Sequence, residues 1–264
     1  CDISEYTALT SLPDIMDCET IIHLAAQAGV RHSLDAPFVY AQSNLAGHLS
    51  LLELARHSNN LKKFVYASSS SVYGANTTAP FKETDTVDAP VSLYAATKRS
   101  DELISEAYSR LFGIEQIGLR FFTVYGPRGR PDMAYWIFTE QLYANQPVTL
   151  FNDGNLKRDF TYIDDIAKGV IAVATGEFKR KREILHNIYN IGNNRPVELM
   201  AFLELLEKAT GKKAIKDFAP MQPGDVYETC ADITAISQDY GFAPLTSLEE
   251  GIPAFVDWFE SYRR

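Results

Sequence analysis

Tyr94 and Lys98 stand four residues apart in the run YAATK, and Ser68 to Ser71 form a run of four serines followed by Val-Tyr-Gly. Residues at i and i+4 share one face of a helix. An ammonium beside a phenol favours the phenolate, moving a tyrosine from its ordinary value of about 10 toward one useful for proton abstraction. A serine hydroxyl at the end of a strand is suited to hydrogen-bond the same substrate oxygen. In a chain with 14 tyrosines a Tyr-x-x-x-Lys pair arises readily by chance. Its chemistry therefore depends on the elements that position it.

Those elements alternate. Thr20–Ala26 (TIIHLAA), Lys63–Ser68 (KFVYAS) and Glu115–Phe122 (EQIGLRFF) are apolar runs of strand length. Between them, 36–57 and 93–112 carry apolar residues at helical spacing, the second ended by Gly113. Strand–helix alternation of this length predicts βαβ crossovers and an α/β fold with a doubly wound, Rossmann-like parallel sheet. Near-continuous apolar strands fit a sheet covered on both faces. The serine run falls at the carboxyl end of the second strand, where such sheets place reactive groups.

Beyond Gly126 a Gly/Pro-rich stretch, GPRGRPDM, breaks the rhythm. Helices are expected over 133–143, 164–174 and 197–210, with strands at 148–151, 158–162 and 186–191. Ser247 and Glu250 predict a capping box opening a last amphipathic helix. Residues 1–126, with 158–192 returning to them, form one expected domain. Residues 127–264 form mainly a smaller α/β substrate domain against the carboxyl ends of the sheet.

Composition excludes several classes. Of 264 residues 46% are apolar, and 25 Lys+Arg against 34 Asp+Glu give a net charge of −9. That is an acidic globular chain with no basic face for nucleic acid. The run Lys179-Arg180-Lys181-Arg182 is expected to be a solvated loop. Cys1, Cys18 and Cys230 show neither a disulfide pattern nor metal-ligand spacing, which fits a reducing compartment. No apolar run approaches the roughly 18 residues of a membrane span.

The ordered blocks IIHLAAQAGVRHS, SSSSVYG, Tyr94–Lys98, RFFTVYGPRGRPDMA, RDFTYIDDIAKG, YNIG and MQPGDVYETCADI resemble the extended short-chain dehydrogenase/reductase family. Within its nucleotide-sugar epimerases and dehydratases they look most like the UDP-glucuronate 4-epimerases. The resemblance implies NAD as cofactor and a UDP-sugar as substrate. By it Tyr94 is the base and acid at the sugar 4-hydroxyl, Lys98 its partner on the nicotinamide ribose, and Ser69 an aid at the same oxygen. Asp2 and Ile3 would contact the adenine; Leu24, Ala25, Ala26, Asn44 and Phe122 would line the rest of the cofactor. Ser70, Ser71 and Thr123, with Arg130 nearby, would hold a glucuronyl carboxylate. Thr149 to Phe151 would hold the uracil, Arg158 the diphosphate and Asp225 the ribose. A homodimer through the 36–57 and 93–112 helices is also implied, and the acidic charge leads to the expectation of a cytoplasmic protein.

Several positions differ or invite a plainer reading. Family dehydratases and UDP-glucuronate decarboxylases place Asp or Glu in the serine-rich turn, where this chain has Ser70 and Ser71; that disfavours elimination. Arg128 occupies a place where close relatives often carry an aromatic residue, and it is expected to face solvent. His23 is expected to be a satisfied core histidine, and Tyr135, Phe138 and Tyr143 to be packing residues. The family also opens with a GxxGxxG strand–turn–helix that binds pyrophosphate on backbone N–H groups. No such run occurs in this sequence, so the expectation is a fragment of a longer product. A loop from another chain, or a cofactor-free nucleotide-sugar-binding protein, are the alternatives. Other catalytic readings are a UDP-glucose/galactose 4-epimerase or a UDP-glucuronate decarboxylase.

Overall fold

A computed structural model describes residues 1–222 and 226–263. In chain order the first half contains α1 (Tyr6–Thr10), β1 (Thr20–His23), α2 (His32–Asp35), α3 (Pro37–Tyr40), α4 (Gly47–His57), β2 (Lys63–Ser69), α5 (Leu93–Phe112), β3 (Gln116–Phe121) and β4 (Thr123–Tyr125). The second contains α6 (Ala134–Ala144), β5 (Pro147–Phe151), β6 (Lys157–Tyr162), α7 (Ile163–Thr175), β7 (His186–Ile191), β8 (Pro196–Glu198), α8 (Leu199–Thr210), β9 (Ile215–Ala219), α9 (Thr234–Tyr240) and α10 (Leu248–Tyr262).

The apolar runs pair as expected into a parallel sheet of order β1-β2-β3-β7. β2 and β3 are buried almost throughout, because helices cover both faces. On one face Leu51, Leu52 and Leu54 of α4 pack against Phe64 and Tyr66. On the other, Ile166, Val170 and Val173 of α7 pack against Val65, Ile117, Leu119 and Tyr189. β1 lies at the end of the order and is half open, with Ile22 exposed. A second core gathers α6, α8 and α10 around Phe160, Phe202, Phe255 and Phe259. There β6 joins β4 in parallel and β8 in antiparallel pairing, and β5 joins β9.

Helix ends follow local chemistry. Ser92 accepts the Ala95 N–H at the start of α5, and Gly113 at φ +67 ends it in a left-handed turn. The capping box of Ser247 and Glu250 is present at α10. Lys63, itself buried, donates to the carbonyls of Val173, Ala174 and Gly176 at the end of α7, meeting the negative end of that helix.

Two expectations change. The first strand stops at His23, and Leu24, Ala25 and Ala26 leave the sheet as an exposed segment. The expected 36–57 helix is α3 and α4 joined by a π-helical segment, Ala41–Ala46. Asn44, in the π segment, accepts the Gln27 N–H at 2.8 Å and donates to the Gln27 carbonyl at 3.0 Å. The side chain supplies the pairing that the sheet no longer gives residue 27.

Lys179–Arg182 lies between α7 and β7 and is ion-paired with Glu177, Asp239 and Glu106. Among the described residues, no helix is long and apolar enough to cross a membrane.

Candidate active site

The register of β2 on β3 builds the site. Ser68 is opposite Arg120 and Ser69 opposite Phe121, so the serine run and residues 121–123 leave the sheet side by side at its carboxyl end. Ser69 accepts the Ser71 N–H at 3.1 Å, bending the chain into a 3-10 turn over Ser70–Tyr73. Gly74 completes the bend at φ +54, where a Cβ would stand 2.0 Å from the Ala89 carbonyl oxygen. Only glycine fits there.

A cavity of about 600 Å³ opens at this point. Its walls include Ser69, Ser70, Ser71, Tyr94, Phe122, Thr123 and Arg130, seven of the residues singled out in the sequence. Arg158 lines a smaller neighbouring cavity of about 170 Å³ with Ser70, Ser71 and Thr123. Its guanidinium donates to the carbonyls of Lys157 and Tyr227 at 2.9 and 3.2 Å.

Tyr94 sits in the first turn of α5, its ring edge-on to Tyr40 at 6.1 Å. Tyr40 is wholly buried, and its hydroxyl is 2.9 and 2.6 Å from the carbonyls of Ala28 and Gly29. One turn further along α5, Lys98 is 2% exposed. Its ammonium donates to the Ala67 carbonyl at 2.9 Å and to Asp101 at 3.3 Å. A lysine has three protons to donate, so one remains for a further acceptor. Burial pushes the Asp101 carboxyl up to about 7, with Lys98 acting in the opposite direction.

Beneath the serine turn lies a charged network. Glu102 accepts from Ser68 at 2.6 Å, from Arg99 at 3.0 Å, and from Arg120 through Nε and a terminal nitrogen. Burial raises this carboxyl, but those donors outweigh it and hold it below its usual range. Arg120 also lies over the Tyr73 ring at 4.9 Å. The sequence reading missed Tyr40, Asp101, Glu102 and Arg120. Charged residues on a helix read as solvent-facing, and only the i+4 and i+8 spacing from Tyr94 places Lys98 and Glu102 along its side of α5.

Other sequence candidates lie outside the two cavities' linings. Asp2 accepts from the Ser4 backbone and hydroxyl, both at 2.9 Å, which lower its carboxyl. Ile3 packs beside Gly47 at the start of α4. Thr149 and Phe151 lie on β5, with Arg31 over the Phe151 ring at 5.1 Å. Asp225 falls outside the described residues.

Arg130 does line the cavity, but its guanidinium grips Asp132 through two bonds of 2.9 and 2.8 Å. Arg128, expected in solvent, is exposed yet forms part of the cavity wall. His23 is buried against His48 and Phe64 as a core residue, although its Nδ1 has no hydrogen-bond partner. Phe138 packs in the second core; Tyr135 belongs to that core and to the cavity wall as well.

Residues 1–192 match the NAD dependent epimerase/dehydratase family. The chain belongs to that family. UDP-glucuronate 4-epimerase 1 of Arabidopsis thaliana is 44% identical over 272 residues, covering 99% of this chain and 63% of the relative. Among solved structures, UDP-glucuronic acid 4-epimerase from Bacillus cereus, in complex with UDP-glucuronic acid and NAD, is 36% identical with a TM-score of 0.85. That match covers 99% of this chain and 79% of the other. The UDP-glucose 4-epimerase of Thermotoga maritima, solved with UDP-glucose, is 30% identical with a TM-score of 0.91, covering 100% and 84%. The two solved structures share the fold described above.

The residues present fit the nicotinamide end of a dinucleotide. Ala25 and Ala26 follow β1 as small, exposed residues, Asn44 pairs with both backbone groups of the adjoining Gln27, and Lys98 keeps one proton for a further acceptor. The sequence offers no glycine-rich turn for the pyrophosphate.

Proposed function

We propose that this chain acts in the NAD-dependent epimerisation of a UDP-sugar at C4, with UDP-glucuronate and UDP-galacturonate as the pair interconverted. The observation that carries this reading is the meeting of Tyr94 with Ser69, Ser70, Ser71 and Thr123 around one cavity at the carboxyl ends of β2 and β3. In this reading residues 1–126, with 158–192, hold the cofactor, and 127–264 mainly hold the nucleotide.

NAD bound along residues 24–26, Asn44, Phe122 and Lys98, with Asp2 and Ile3 toward its adenine, supplies a hydride acceptor and then a hydride donor. The chain's own residues do the rest. Tyr94 takes the proton from the sugar O4 and later returns one to it. Ser69 hydrogen-bonds that oxygen, and Lys98 stabilises the phenolate from the next turn of the helix. Arg158 offers a planar, bidentate donor to diphosphate oxygens, with Thr149 and Phe151 toward the base and Asp225 toward the ribose.

Ser70, Ser71 and Thr123 suit a sugar carboxylate, since hydroxyls donate hydrogen bonds without adding like charge. A ketone at C4 makes that carboxylate a β-keto acid prone to lose CO2. Fixing the carboxylate keeps the C–C bond out of line with the carbonyl π-system, so the ring turns over and is reduced on its other face. The lack of Asp or Glu at positions 70 and 71 also withholds the acid that elimination needs.

Incubating the protein with UDP-glucuronate and NAD should give UDP-galacturonate as the main product. UDP-pentose with CO2, or no sugar conversion, would overturn the assignment. The likeness to a UDP-glucose 4-epimerase favours a second reading, tested by offering UDP-glucose in parallel.

A cytoplasmic homodimer accompanies the proposal. Phe38 is 87% exposed, and Val39, Leu49, Leu103 and Leu111 are also exposed on α3, α4 and α5. These helices belong to the 36–57 and 93–112 segments through which pairing is expected, and sedimentation at a molecular mass of one chain would contradict it.

A further inference from the structure

Two arginines in the GPRGRPD loop face one cavity in different circumstances. Arg130 is bound at both ends of its fork by the carboxylate of Asp132, so its charge is met inside the loop. Arg128 makes no hydrogen bond, ion pair or ring contact with any described residue. Its backbone lies at φ +61, a left-handed conformation that side chains other than Asn and Asp rarely adopt. Around it the cavity wall offers hydroxyl groups from Ser69, Ser70, Ser71, Thr123 and Tyr94, which donate hydrogen bonds but carry no positive charge.

We infer that Arg128 is a specificity-determining residue that supplies the positive charge for the carboxylate of a uronic-acid sugar. The inference rests on the C4-epimerase reading given above, and it assigns to Arg128 the part expected of Arg130. Placement favours the sugar carboxylate over the diphosphate. Arg128 shares its cavity with Tyr94 and Ser69, the groups that would act on the sugar ring, whereas Arg158 lines the smaller cavity without Arg128. A neutral hexose in the same position leaves the guanidinium solvated and gains nothing from it. Arg128 thus separates UDP-glucuronate from UDP-glucose by charge, while Ser70, Ser71 and Thr123 supply direction.

Titration calorimetry with UDP-glucuronate, UDP-glucose and UDP tests the assignment without turnover. Asn is the substitution of choice because it tolerates the left-handed backbone. Arg128→Asn should raise the Kd for UDP-glucuronate about tenfold, equivalent to about 1.4 kcal/mol. The Kd values for UDP-glucose and UDP should stay within about twofold, and Arg128→Lys should recover most of the lost affinity. Equal weakening of all three ligands would place Arg128 on the diphosphate and overturn the inference. So would an unchanged Kd for UDP-glucuronate in a variant whose melting temperature matches the parent. If the parent protein itself fails to prefer UDP-glucuronate over UDP-glucose, the uronic-acid reading fails first, a result distinct from any effect of the substitution.

Discussion

Glu102 and Arg120 form a two-bond ion pair, Nε at 2.9 Å and a terminal nitrogen at 3.0 Å, with both side chains at most 3% exposed. The pair ties α5, which carries Tyr94 and Lys98, to β3, which leads into Phe122 and Thr123. Ser68 joins it from β2 at 2.6 Å. Three elements that converge on the cavity are thereby fixed to one another at a single carboxylate.

Glu102→Gln should be strongly destabilising, because it leaves the buried Arg120 guanidinium without its counter-charge. A loss of about 3–5 kcal/mol is expected in urea unfolding. Replacing both residues with methionine should cost less than removing Glu102 alone, since no unpaired charge remains. Equal losses in the two variants would contradict this account of the pair.

Tyr94→Phe removes one hydroxyl from a half-buried ring whose edge contact with Tyr40 persists. Turnover of UDP-glucuronate should fall at least about 100-fold, with UDP affinity and melting temperature nearly unchanged. Retained turnover would remove Tyr94 from the proton-transfer role.

Asn44→Leu should loosen the segment after β1. Asn44 serves both backbone groups of Gln27 and also donates to Thr97 at 3.0 Å. Leaving these groups without a partner should cost about 1–3 kcal/mol. Hydrogen exchange should report faster opening at residues 24–29 before any change in the rest of the sheet.

The pH dependence of stability contains opposing contributions. Burial lowers His23 to about 3 and His186 to about 4, so the unfolded chain binds more protons below about 6.5 and stability is lost as the pH falls. Burial raises Asp101 to about 7. The folded chain therefore binds its proton more tightly between the ordinary value of 3.8 and 7, and stability from this group is lost as the pH rises. Asp101→Asn should remove the second contribution. Unfolding free energy measured from pH 4 to 7 should then climb more steeply with pH than in the parent protein. An unchanged slope would show that Asp101 does not titrate there.

Much of this architecture was legible because burial and capping leave local marks. Apolar runs marked β2 and β3, while Gly113 ended α5 and Ser247 with Glu250 opened α10. β9 left no such mark: its residues are nearly all exposed, and it exists through backbone pairing with β5. The π segment was hidden as well: Asn44 within it pairs with a residue 17 positions earlier, a contact that leaves no local mark. Within the site, Tyr94 and Ser69 to Ser71, singled out by residue type and spacing, and Thr123, singled out by the family resemblance, line one cavity. Neither signal gave a means of seeing that Asp132 occupies Arg130 and leaves Arg128 unpaired. That distinction depends on which of two nearby guanidinium groups the loop turns toward the carboxylate.

The buried ammonium of Lys63 has a mechanical consequence. It reaches from the start of β2 to the carbonyls of Val173, Ala174 and Gly176 at the end of α7, so that helix cannot slide along the sheet without breaking contacts to a charged donor. The covering helix and the strand that leads to the serine turn therefore move as one body.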